Sequence, residues 1–201
     1  MPFRLVMLAA ALTVAVPAIA KPVIGQPAPD FTVTDASGKT QSLSAYKGKI
    51  VVLEWNNPEC PFVRKHYGAE NMQSQQAGAA KDGVVWLTVN SGAAGKQGHM
   101  DPTAATAYVA KVGGKESAYL IDADGKVGHA YEAKTTPHMF VIDKDGVLRY
   151  MGGIDSIAST DVDDIPKATQ YVKQALGELA AGKPVSVSTS EPYGCSVKYG
   201  S

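Results

Sequence analysis

Only two of the 201 residues are cysteine, Cys60 and Cys195, and no CxxC or CxxxC pair occurs. That scarcity excludes a disulfide-rich scaffold, and it leaves no closely spaced pair of thiols for metal binding or local dithiol chemistry. Neither sign of charge is in excess: 19 basic and 19 acidic residues cancel. A polyanion partner such as a nucleic acid needs a net basic face, so it is excluded as an expectation. There is no internal repeat and no low-complexity block beyond the first twenty residues. The segments DADG and DKDG, residues 122–125 and 143–146, lack the acidic spacing and distant glutamate of a calcium loop and read as turns. No metal and no cofactor is called for.

What is present begins with a leader. Arg4 supplies a positive start, residues 5–16 an apolar centre, and Ala18-Ile19-Ala20 a small-x-small cleavage site. The pattern reads as a secretory signal over residues 1–20, with an uncleaved anchor as the alternative. The apolar run is short for a membrane span. Export would place the chain in a periplasm or outside the cell, with no stable membrane association after cleavage, where a disulfide can persist.

The remainder divides into a domain over residues 21–182 and a tail over residues 183–201. Residues 21–29, KPVIGQPAP, suit an extended leader on the surface, because proline blocks regular structure. Residues 30–34 alternate like a short strand, residues 36–39 make a turn, and residues 42–46 suit a helical turn. The β-branched run IVVLEW, residues 50–55, predicts a buried strand, and Pro61 suits the first turn of a helix running to about residue 80. VVWLTV, residues 84–89, predicts a second buried strand. The glycine-rich residues 91–102 predict a loop. A helix over residues 103–112 with Thr103 as N-cap, a strand over 118–121 and a short helix over 126–133 follow. Residues 138–142 and 147–151 flank an Asp-Gly turn, a hairpin pattern. Ile165, Ala168, Val172, Leu176 and Leu179 are spaced as one face of a final helix. This order predicts an α/β fold, a central mixed sheet with helices on both faces.

Cys60 stands where a strand hands over to a helix. Unpartnered N–H groups and the positive end of the macrodipole stabilise a thiolate there, which makes Cys60 the candidate nucleophile; a small buried packing residue is the bland alternative. Arg64 and Lys65 favour the thiolate and Glu59 opposes it, although solvated decoration is the ordinary role for all but Arg64. His66 points elsewhere, and His99 reads as solvated. A Cys60, Cys195 and His138 set suits a soft ion such as Cu(I), the alternative from another functional class.

GQPAPDF at residues 25–31, VVLEW at 51–55, TTPHMFVID at 135–143 and the DKDG turn together resemble the thioredoxin-like superfamily. Within it the chain is similar to the redoxin branch, alkyl hydroperoxide reductase and thiol-specific antioxidant, over residues 24–179. The resemblance implies a thioredoxin-like fold and a thiol oxidoreductase or thiol peroxidase. It aligns Cys60 with the first cysteine of CxxC, Pro137 with a cis-proline packed against that sulfur, and Thr136 with the residue whose backbone receives a substrate strand. Val63 stands at the second CxxC position, and Leu53 and Asn57 replace the proline and threonine of the peroxiredoxin motif PxxxTxxC. Exchange therefore cannot close locally. Cys195, in a late GCSVKY, becomes the candidate resolving thiol, or else one end of a permanent staple worth about 4 to 5 kcal/mol by the loop-entropy model. The implied partner is a redox protein or a small peroxide or disulfide.

Overall fold

The computed structural model describes residues 21–200; the leader pattern of residues 1–20 lies outside the described residues. Strand β1 (Thr32–Thr34) forms a hairpin with β2 (Thr40–Ser42), followed by a 3-10 turn at Leu43–Tyr46. The second hairpin strand was not evident in the sequence. Asp35 makes it: its carboxylate accepts from the N–H groups of Ser37 (2.8 Å) and Lys39 (3.0 Å) and folds the chain back.

The central sheet then builds up from β3 (Val51–Trp55), α1 (Pro61–Gly68), α2 (Asn71–Lys81), β4 (Val85–Asn90), α3 (Pro102–Val112), β5 (Ala118–Ile121), α4 (Lys126–Ala130), β6 (Thr135–Thr136), β7 (His138–Ile142) and β8 (Leu148–Gly152). A 3-10 turn at Val162–Lys167, α5 (Tyr171–Ala180) and β9 (Cys195–Ser196) complete the chain. The sheet has the order β5-β4-β3-β7-β8. Strand β3 is parallel to β4, which is parallel to β5, while β7 runs antiparallel to both β3 and β8. It is the expected mixed sheet.

Alternation along β3 sorts the core into two layers. Val51, Leu53 and Trp55 join Leu87, Phe140 and Ile142 on one face, beneath Phe31, Leu43 and the α4 residue Val127. Val52 joins Trp86, Met139 and Val141 on the other, beneath Val63 and Tyr67 of α1, Met72 of α2 and Val172 of α5. The apolar runs of β3, β4 and β7 are thus buried on both sides, as the lack of alternation in them requires.

Four boundaries differ from expectation. The helix predicted through residue 80 breaks after Gly68, with Glu70 in the left-handed region (φ 56°). The break is stabilised by Gln73, whose side-chain amide donates to the Tyr67 carbonyl (2.9 Å) and the Val112 carbonyl (2.7 Å). Asp101, not Thr103, caps α3, accepting from the Ala104 N–H at 2.8 Å, with Pro102 in the first turn. Helix α4 ends at Ala130. The final helix starts at Tyr171, because Pro166 has no N–H for an α-helical bond and the chain, a 3-10 turn through Lys167, is extended again by Ala168.

The tail is not loose chain. Ser188 and Ser190 bond to both sides of Met151 on the edge of β8, β9 pairs with β6, the Val197 N–H donates to Lys134, and Tyr199 stacks on His129 at 4.1 Å.

Candidate active site

Cys60 occupies the N-cap position of α1 with extended geometry, held there by the end of β3 before it and Pro61 after it. Across from it the Thr136-Pro137 peptide is cis, and the Cys60 thiol donates to the Thr136 carbonyl at 3.0 Å. The tail closes the third side. Thr136 and Cys195 are register partners in the antiparallel β6-β9 pair, and the Cys195 N–H points at the Cys60 sulfur from 3.4 Å although 135 positions separate the two in sequence. The four residues anticipated, Cys60, Cys195, Thr136 and Pro137, therefore meet at one point.

The two thiols are electrostatically unequal. Burial pushes the Cys60 thiol up, but hydrogen bonds from the side chains of Cys195 and Thr136 and from the N–H groups of Val63 and Cys195 outweigh it and hold the thiol below its ordinary value. Burial, the hydrogen bond to Cys60 and the charge on Cys60 push Cys195 up to about 11. Of the two thiols, Cys60 is the one whose charged form this site favours, so it carries the larger thiolate fraction of the pair. Two of the three influences that raise Cys195 come from Cys60 and depend on its being a free, charged sulfur.

Cys60 has no exposed surface (0%). What covers it is the tail, bolted down by Tyr193. The Tyr193 ring packs edge-on against Phe62 of α1 (5.6 Å), and its hydroxyl donates to Asp155 and lies 3.3 Å from His66 Nε2. Lys65 and His66 reach the same Asp155 carboxylate at 4.0 and 3.8 Å with fully buried side chains. Neither is a solvated decoration of the helix, because Asp155, delivered by the chain after β8, compensates their burial. Arg64 turns outward and donates to the Pro58 carbonyl (2.9 Å). Glu59 accepts from the Gly98 N–H (3.2 Å), and His99 is tied to the Gly92 carbonyl (2.7 Å) rather than solvated. Asn57 spans the same loop through Gln97 (3.0 Å).

Burial, opposed by the Asp155 charge and aided by that of Lys65, lowers His66 to about 4. The unfolded chain takes up that proton near pH 6.5, so between these values the unfolded state binds more protons. Stability from His66 is full above pH 6.5 and falls as pH drops towards 4, by at most about 3 kcal/mol. Urea midpoints of wild type and His66→Gln at pH 7 and pH 4.5 check this: wild type loses more on acidification, whereas parallel losses contradict it.

The copper alternative does not assemble. In the β3-β7 register His138 pairs with Trp55, on the opposite face of the sheet from the Cys60 layer, and its Nδ1 accepts from the Lys134 N–H (3.3 Å). Among the described residues no group of three His, Cys, Asp or Glu side chains is arranged to hold a metal ion.

A second buried acid, besides Asp155, escaped the sequence reading. Glu54 of β3 has no exposed surface and accepts from Trp86 (2.8 Å), Tyr67 (2.9 Å), Asn56 (3.2 Å), Gln76 (3.3 Å) and Thr88 (3.3 Å). Burial raises its pKa against those hydrogen bonds. Its signal was visible: a lone carboxylate inside the apolar run VVLEW.

The thiol-disulfide oxidoreductase ResA of Geobacillus kaustophilus is 31% identical over 133 residues, 63% of this chain and 67% of that protein. The thiol:disulfide interchange protein DsbE of Allochromatium vinosum is 22% identical over 142 residues, 69% of this chain and 72% of that one. The crystal structure of an uncharacterized conserved protein from Geobacillus kaustophilus superposes with a TM-score of 0.77 at 26% identity, covering 89% of this chain and 93% of the other. The AhpC/TSA family matches residues 24–151, a stretch that carries Cys60 and Pro137 and stops before the tail. With its thioredoxin-like sheet and a cysteine at the start of α1, the chain belongs to the AhpC/TSA family.

Proposed function

We propose that the protein is an exported thiol-disulfide oxidoreductase in which Cys60 is the nucleophile and Cys195 the resolving thiol. The observation that carries this is the juxtaposition of two free thiols of opposite pKa displacement beside a cis-proline edge. The Cys60 thiolate attacks one sulfur of a substrate disulfide, whose other sulfur leaves as a thiolate. Cys195 then attacks Cys60, the substrate's second thiol is expelled, and the chain is left with a Cys60-Cys195 disulfide. The substrate gains the two electrons that the protein loses. Thr136 and Pro137 shape the edge on which a substrate strand is held. The leader pattern of residues 1–20 supports a periplasmic or secreted location, where an oxidised pair persists.

A second reading, hydroperoxide reduction, is favoured by the complete burial of Cys60, which admits a small molecule more readily than a chain. There Cys60 becomes a sulfenic acid, and Cys195 displaces water from it. Mixing the reduced protein with a chromogenic aryl disulfide or with hydrogen peroxide separates the two. The disulfide is expected to oxidise the pair at least about ten-fold faster, given a thiol tuned for exchange. A faster reaction with peroxide selects the second reading, and no reaction of the folded protein with either oxidant overturns both.

A further inference from the structure

The tail carries more information than the position of its cysteine. Tyr193 and Cys195, on either side of a bend at Gly194, both face the protein body, the first on Phe62, His66 and Asp155, the second beside Cys60. Gly194 between them passes so close to β6 that a Cβ there would lie 2.0 Å from the Thr136 carbonyl oxygen, and its φ of 126° belongs to glycine. The chain thus lies across the active site in the pose of a bound segment: backbone paired with Thr136, sulfur at the nucleophile, aromatic ring in a formed pocket.

That pocket is built for an occupant. Lys65, His66 and Asp155 are fully buried, and with the tail lifted the Asp155 carboxylate and the His66 Nε2 lose the hydroxyl they share. Asp155 keeps the Ile157 N–H and its pairing with Lys65 and His66 but loses the tyrosine hydroxyl, so an occupant that supplies a hydroxyl there is favoured over one that does not.

We propose that residues 193–195 are an intramolecular copy of the substrate, and that the surface they cover is a subsite for an extended protein segment of sequence Tyr-Gly-Cys whose cysteine is in a disulfide. This rests on the disulfide-exchange reading above and adds the sequence that the site prefers. The substrate strand displaces the tail from β6, with its tyrosine against Phe62 and Asp155 and its glycine under the Thr136 carbonyl. Cys60 attacks the substrate cysteine, and that cysteine's former partner leaves as a thiolate. The tail then returns, Cys195 attacks Cys60, and the substrate cysteine departs reduced as the tail retakes the edge. Recognition and resolution become one exchange of strands over a single surface.

The test uses the reduced full-length Cys195→Ser protein and three peptides, acetyl-Ser-Tyr-Gly-Cys-Ser-amide and its Tyr→Ala and Gly→Ala analogues. Each carries nitrothiobenzoate in disulfide linkage on its cysteine. Attack on the peptide sulfur releases the coloured thiolate, the better leaving group, and leaves a protein-peptide adduct that mass spectrometry identifies. The Tyr-Gly-Cys peptide is expected to react about ten-fold faster than either analogue, because Tyr→Ala loses one aromatic pair and one buried hydrogen bond and Gly→Ala sets a Cβ against the Thr136 carbonyl. The preference for Tyr over Ala is expected to collapse in a Phe62→Ala background. Rates within about two-fold for all three peptides overturn the subsite while leaving disulfide exchange standing. Adducts that form only after the protein is denatured overturn the exchange reading itself.

Discussion

Cys60→Ser is expected to abolish reaction with disulfides and hydroperoxides, a loss of at least about a thousand-fold, because a serine hydroxyl at this site has no thiolate to offer. Cys195→Ser is expected to behave differently. Its first attack stays within a few-fold of wild type, while turnover falls by about a hundred-fold and a mixed disulfide on Cys60 accumulates. The asymmetry follows from the opposite displacement of the two thiols: Cys60 is held below its ordinary value, and Cys195 is raised to about 11 by burial, by the hydrogen bond to Cys60 and by its charge. Stopped-flow absorbance for the first step, and intact mass of the trapped adduct for the second, check both halves. If Cys195→Ser turns over at the wild-type rate, Cys195 does not resolve. If Cys60→Ser retains activity, the nucleophile has been misassigned.

The second large effect is expected from a single methyl group. Gly194→Ala places a Cβ 2.0 Å from the Thr136 oxygen and 2.8 Å from its carbonyl carbon, both backbone atoms of the β6 edge that cannot swing aside. Adding the strain of a non-glycine residue at φ 126°, of order 1–3 kcal/mol, the docked fraction of the tail should fall about ten- to a hundred-fold. Two consequences run in opposite directions. Alkylation of Cys60 by an added maleimide should accelerate by that factor, because the cover is gone, while formation of the Cys60-Cys195 disulfide slows. The core should hold, since β9 contributes two residues to a separate two-stranded sheet and none to the central one. Unchanged alkylation would mean that the tail does not guard the sulfur.

The parts of this account that were legible in the sequence are those governed by local rules. The run IVVLEW could only be a strand buried on both faces, Pro61 marked a helix start, and the Asp-Gly turn fixed the β7-β8 hairpin. Cys60 and Pro137 followed from the strand-helix junction and from the family likeness. What local rules could not supply was partnership over distance. Lys65 and His66 looked like surface charge because Asp155, about ninety positions on, does not appear in any window that contains them. Tyr193 drew no attention in the sequence, yet it anchors the tail. The break after Gly68 was hidden for a similar reason: it depends on the Gln73 side chain reaching two carbonyls, one of them in α3. Thr103 was the expected cap, but Asp101 is an equally good capping residue and Pro102 in the first turn decides for it.

The central claim, that Cys60 and Cys195 of one chain form a cycling pair, is met most directly by disulfide mapping. The reduced protein is treated with one equivalent of a disulfide substrate, free thiols are blocked, and the chain is digested and analysed by mass spectrometry. The expected product is a chain lighter by two hydrogens, whose Cys60 and Cys195 peptides are joined to each other and separate again on mild reduction. Cys195 recovered as a blocked free thiol while Cys60 is oxidised, or a Cys60 bond that joins two chains, would contradict it.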